Sequence, residues 1–149
     1  MKNDFDLMVI GGGSGGLASA QRAAEYGANV AVIEQAPLGG TCVNVGCVPK
    51  KVMWYAAQHT SFHKLAADYG FDIKIKSHDW AQLKKKRDAY IKRLNGIYER
   101  NLKARNIQLI RGPAKFKNQS TVTVNDIDYS SQKIVIATGG KPIVPEISG

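Results

Sequence analysis

The residues best suited to chemistry in this 149-residue chain sit together in Leu38–Lys51, LGGTCVNVGCVPKK. They include the only two cysteines, Cys42 and Cys47, separated by four residues behind Gly39-Gly40 and ahead of Pro49, Lys50 and Lys51. A close pair of thiols can exchange between bridged and reduced forms, contribute half of a zinc site, or staple a loop. Zinc needs two further ligands, and none is suitably spaced. The loop between the cysteines is too short for a staple to gain much from chain entropy. Among cations and small residues, redox exchange is the reading the spacing favours. His59 and His63, four apart, have the spacing of helical zinc ligands but no matching third; they read as two exposed histidines, and His78 falls in a turn.

Cys47 opens the element that must hold it. Gln35–Gly46 reads as a loop, and a helix starts near Cys47 with Pro49 in its first turn, where a missing N–H does no harm. Val52, Met53, Ala56, Ala57, Phe62, Leu65, Ala66 and Tyr69 keep helical spacing after it. A helix N-terminus with Lys50 and Lys51 nearby favours thiolate at Cys47.

Upstream lies a strand–turn–helix–strand unit. The apolar run Phe5–Ile10 suits a buried parallel strand. It leads into Gly11-Gly12-Gly13-Ser14-Gly15-Gly16, which satisfies G-x-G-x-x-G. An alanine-rich helix follows over Leu17–Gly27, then a strand over Asn29–Ile33 with Glu34 at its end. In such a unit Gly11 permits the tight turn, Gly13 lets backbone approach a pyrophosphate, and Gly16 lets helix and strand pack closely. The helix N-terminus faces the negative charge. Glu34 is placed to accept a hydrogen bond from a ribose hydroxyl and would repel a 2′-phosphate, which disfavours NADP here. The glycines alone leave NAD and FAD open.

The second half begins with a long helix over about Trp80–Arg105, with Asp79 and Gln82 as a capping pair. Trp80, Leu83, Tyr90, Leu94, Ile97, Tyr98 and Leu102 form one apolar stripe, so periodicity alone makes its tyrosines core. Ile107–Arg111 reads as a parallel strand. Lys115–Phe116, Thr121–Val124 and Ile127–Tyr129 read as a small meander with turns at Asn118 and Asn125-Asp126. Lys133–Ala137 is a further strand leading to Thr138-Gly139-Gly140, and Pro142 and Pro145 mark an extended exit. The fold class is α/β: a Rossmann-like domain with a parallel sheet, long helices and a small antiparallel β-meander.

GGTCVNVGCVPKK together with GGGSGG closely resembles the flavin-dependent pyridine nucleotide–disulfide oxidoreductases, and among them the glutathione reductases. The resemblance covers essentially the whole chain. It implies that residues 1–149 are an FAD-binding domain, incomplete because the family continues into NADPH and interface domains. It implies FAD in the first dinucleotide site, NADPH as electron donor, glutathione disulfide as substrate, and a homodimer whose partner subunit supplies an acid–base histidine; none of the three histidines here matches it. Carried over by position, Cys47 is the thiol beside the flavin and Cys42 the interchange thiol. Lys50 lies by the flavin N5. Ser14, Gly15, Glu34, Gly40 and Thr41 contact FAD or its neighbourhood, with Ala114 near the adenine and Thr138-Gly139 as a second backbone contact. Ser14, Ala18, Gln21, Ile97, Tyr98 and Asn101 become substrate residues, Tyr98 closing over the glutathione disulfide. Gln21 stands where the familiar enzymes carry an arginine facing a substrate carboxylate. The 149 residues alone are expected to be inactive with NADPH. Trypanothione, dihydrolipoamide and mercuric reductases share the dithiol, whereas Val43, Val45, Val48 and Lys51 favour the glutathione group.

Composition narrows the remaining classes. Hydrophobic residues make up 44% and charged residues 22%, ordinary for a globular protein. A net charge of +9 could suit nucleic acid, but the densest run, Lys84-Lys85-Lys86-Arg87, lies on an amphipathic helix as a solvated face. No aromatics interleave with basic residues, so no nucleic-acid partner is expected. No apolar run approaches a membrane span and the first strand starts too early for a targeting segment, so a cytoplasmic protein without a membrane partner is expected. A non-catalytic flavin-binding module is the reading from outside the enzymes.

Overall fold

The computed structural model describes residues 3–148. The chain runs β1 (Asp4–Ile10), α1 (Ser14–Glu25), β2 (Val30–Glu34), α2 (Gly40–Asn44), α3 (Cys47–Leu65), α4 (Trp80–Ala104), β3 (Gln108–Arg111), β4 (Lys115–Phe116), β5 (Thr121–Val124) and β6 (Ile127–Ile136). A 3-10 turn over Ala66–Tyr69 follows α3. One six-stranded sheet takes the order β3-β2-β1-β6-β5-β4. β3, β2, β1 and β6 are parallel neighbours, while β4, β5 and β6 pair antiparallel. This is the mixed α/β architecture expected from the sequence.

Alternation along the strands builds a core on each face of the sheet. Met8, Ile10, Ala31 and Ile33 point to one side and join Val122, Val124 and Tyr129 of the antiparallel arm. Val9, Val30 and Val32 point to the other, against Leu17 and Ala20 of α1 and Leu102 of α4. Fully burying a Val, Ile or Leu side chain contributes roughly 1.5–3 kcal/mol. Leu102, 2% exposed, therefore seats the end of α4 firmly on the sheet.

Three expectations change. The segment Gln35–Gly46 is not all loop, because Gly40–Asn44 closes one short helix inside it. The strands expected over Ile127–Tyr129 and Lys133–Ala137 are one ten-residue strand, β6, whose first half also pairs with β5 while β1 lies along the other edge. α1 begins at Ser14, three residues before Leu17. Glycines in the first turn are tolerated because the N–H groups there have no intrahelical partner anyway.

Periodicity overstated the burial of the helices. Only the end of the α4 stripe reaches the sheet: Leu102 is buried and Tyr98 partly so, whereas Trp80 and Tyr90 are exposed. Phe62, Leu65 and Tyr69 at the far end of α3 are exposed as well. The Asp79 cap holds, its carboxylate accepting from the Gln82 N–H at 2.9 Å. Lys84, Lys85 and Lys86 face solvent. Among the described residues no helix is long and apolar enough to cross a membrane.

Candidate active site

The carboxyl ends of β1, β2 and β6 meet where β1 sits between β2 and β6, the crevice at which open α/β sheets bind ligands. Gly11 makes the first turn with φ 109°, and a Cβ there would lie 2.3 Å from the Ala137 carbonyl oxygen at the end of β6. A Cβ on Gly16 would lie 1.8 Å from the Gly11 carbonyl oxygen, so only glycine lets α1 pack this close. No side chain caps the α1 N-terminus. Its free N–H groups and helix dipole favour an anion.

The cysteine segment docks on this turn by backbone. The Gly39 N–H donates to the Gly12 carbonyl at 2.8 Å. Gly40 lies so near Gly13 that a Cβ on it would be 2.8 Å from the Gly13 Cα. At the opposite end Glu34 is fixed by two amides, Gly12 N–H to Oε2 at 2.7 Å and Ala36 N–H to Oε1 at 2.8 Å. Between these walls lies a cleft of about 990 Å³, continued by a smaller cavity of about 180 Å³.

The cleft brings together Gly11, Gly13, Ser14, Gly15, Glu34, Gly40, Thr41, Cys42, Cys47, Thr138 and Gly139. Ala114 lines the smaller cavity, which shares Gly11, Glu34 and Thr138. Gly16 is buried behind the wall, holding helix to strand. Ala18, Gln21, Ile97, Tyr98, Asn101 and Lys50 do not line the cleft. Ala18 is exposed on α1, and Gln21 turns back to donate to the Leu17 carbonyl of its own helix. Tyr98 packs beside the Leu17–Leu102 core. His59 is exposed, but His63 is half-buried, with Nδ1 lacking a partner. None of the histidines lines the cleft.

Cys42 lies half-buried in α2, and Cys47 is exposed at the head of α3. The thiols are unbridged. A hydrogen bond donated by the Cys42 thiol to Cys47, followed by withdrawal from water and the charge of Cys47, pushes the Cys42 thiol above its ordinary value. The Cys47 backbone N–H and the Lys50 ammonium pull the other way. Lys50 thus acts on the Cys42 sulfur from outside the cleft wall.

Sequence reasoning missed the supports of this loop. Asn44 and Asn95 bind its carbonyls, and Arg111 donates to the Ala36 carbonyl at 2.7 Å while pairing with Glu99. One signal was available. Asn95 stands three before Tyr98 and seven before Leu102, a poor helix former on the apolar face.

A profile of the pyridine nucleotide-disulphide oxidoreductases matches residues 5–149. The chain belongs to that family. With only two cysteines in the chain, an internal disulphide could join only Cys42 and Cys47. It is 52% identical to the glutathione reductase of Yarrowia lipolytica, over 97% of this chain and 34% of that protein. It is also 52% identical to the glutathione reductase of Schizosaccharomyces pombe, over 95% and 32% respectively. The chain therefore spans about a third of the length of these relatives.

Proposed function

We propose that these residues form the FAD-binding and dithiol part of a glutathione-disulfide reductase, a homodimer working in the cytoplasm. One observation carries the reading: a single cleft joins an uncapped helix N-terminus, a ribose-type carboxylate and the only two thiols. The walls suit FAD. A Cβ built on Gly15, Gly139 or Gly140 meets no atom within 4 Å, so the glycines leave open space along the cleft. The α1 N-terminus and Gly13 would hold the pyrophosphate, Glu34 the ribose, and the smaller cavity by Ala114 the adenine. Bound FAD, once reduced by NADPH, would supply the electron pair that opens the Cys42–Cys47 bridge.

The chain's own residues then carry the exchange. The Cys42 sulfur attacks one sulfur of glutathione disulfide, forming a mixed disulfide and releasing one glutathione. The Cys47 sulfur attacks the Cys42 sulfur, releasing the second glutathione and restoring the bridge. Lys50 stabilises negative charge on the Cys42 sulfur as it ionises. Glu34 disfavours a 2′-phosphate, so NADPH is assigned to a part of the relatives' length outside the matched third. The acid–base histidine is assigned to the partner subunit. Ser14, Ala18, Gln21, Ile97, Tyr98 and Asn101 are proposed as the substrate side, with Tyr98 required to swing out from its core contacts.

Mixing the reduced chain with one equivalent of glutathione disulfide tests the roles by mass spectrometry. The expected products are the Cys42–Cys47 bridge and two glutathiones. Cys47→Ser should trap glutathione on Cys42, and Cys42→Ser should trap little. Equal trapping by the two variants would refute the assignment.

A further inference from the structure

α2 is too short to hold its own position. Its five residues fall far below the length at which isolated helices persist, and no side chain caps its N-terminus. Among the described residues, the side-chain hydrogen bonds to it pass through two asparagines. Asn44, its last residue, donates from Nδ2 to the carbonyls of Pro37 at 3.2 Å, Leu38 at 3.2 Å and Gly40 at 2.9 Å. Asn95, 51 positions later in α4, donates from Nδ2 to the Leu38 carbonyl at 2.7 Å and to Asn44 Oδ1 at 3.0 Å. With Oδ1 engaged by Asn95, the Asn44 amide nitrogen is turned onto the three carbonyls. Asn95 is held in turn because Leu102, two turns on, is buried in the sheet core.

A disulfide tolerates little error: its Cα atoms must stand roughly 4.4–6.8 Å apart with a dihedral near a right angle. Cys42 rides on α2 and Cys47 on α3, joined only through Val45 and Gly46, so the setting of α2 decides whether the sulfurs can bridge. We infer that Asn95 is a positioning residue for the Cys42–Cys47 exchange, acting through Asn44 and the Leu38 carbonyl to hold Cys42 within bridging reach of the α3 head. This rests on the dithiol reading proposed above. Loosening α2 lowers the effective concentration of one thiol at the other and makes the bridge easier to reduce.

The test equilibrates the 149-residue chain with mixtures of reduced and oxidised dithiothreitol. The protein S–S bond breaks, dithiothreitol closes its own, and two hydrogens pass to Cys42 and Cys47. The wild type should bridge. Asn95→Asp keeps the shape but turns acceptor oxygens on the Leu38 carbonyl and Asn44 Oδ1. It should shift the equilibrium about tenfold toward the dithiol, about 30 mV less negative. Asn95→Gln, which keeps the donor amide, should recover part of the shift. Asn44→Ala should give a similar shift and carries the test should Asn95→Asp fail to fold. The double variant should exceed neither single by much, because both remove one network. A wild type that never bridges overturns the dithiol reading and this inference together. A wild type that bridges, with variants that lose thermal stability but keep its potential, overturns this inference alone.

Discussion

The two halves of the cleft are built by different means. The glycine turn at Gly11–Gly16 is made of backbone, and its contacts come from one strand–turn–helix–strand unit, the strand beside it and the neighbouring Leu38–Gly40 segment. The dithiol segment touches that turn by backbone at Gly39 and Gly40, but it is also held by side chains from residues 51 to 75 positions away, through Asn95 and Arg111. A backbone-built wall fails when a side chain is added, and a side-chain-held loop fails when one is removed. Substitutions can therefore separate the two.

The largest effect is expected at Gly16. Gly16→Ala drives a Cβ against the Gly11 carbonyl oxygen and should destabilise the fold by about 3 kcal/mol in urea unfolding. The same substitution one residue earlier should behave oppositely. Gly15→Ala meets open space, so stability should stay equal or rise by up to about 1 kcal/mol, alanine being the better helix former. FAD binding, followed by quenching of its fluorescence, should weaken about tenfold, or about 1.4 kcal/mol, because the new methyl occupies the cleft. Equal unfolding of the two variants would erase the distinction between packing glycine and cleft glycine.

A smaller effect is expected within the dithiol. Its hydrogen bond to Cys47 raises the Cys42 thiol, and the Lys50 charge lowers it. Cys47→Ala should therefore move the pH midpoint for Cys42 alkylation by iodoacetamide downward. Lys50→Gln should move it upward. A common direction for both would contradict this electrostatic arrangement.

These contrasts also explain how much of the molecule was legible in the sequence. β1, α1, β2 and the Gly11–Gly16 turn depend on local patterns, alternation and glycine spacing, and they lie within a residue or a few of their expected places. Glu34 was legible as the acidic end of β2. The short helix α2 was not, because Gly39 and Gly40 signal a turn and five residues carry no period. β6 read as two strands because Ser130, Ser131 and Gln132 interrupt its apolar run, although the backbone continues through them. The α3 and α4 stripes are real patterns whose outer turns remain in solvent, since periodicity reports amphipathicity and not what lies opposite. Asn44 and Asn95 escaped notice for a related reason. Their role exists only when α4 returns to the cysteine loop, and the one local sign, a poor helix former at Asn95 on the apolar face, does not name that partner.

The central claim is that the cleft holds its cofactor against the Cys47 side of the dithiol, leaving Cys42 to the substrate. The most direct measurement is the rate of alkylation of each cysteine in the reduced chain, with and without saturating FAD, read by peptide mass spectrometry. Bound FAD is predicted to slow Cys47 strongly and to leave Cys42 largely reactive. Equal protection of the two thiols, or protection of Cys42 alone, would contradict it.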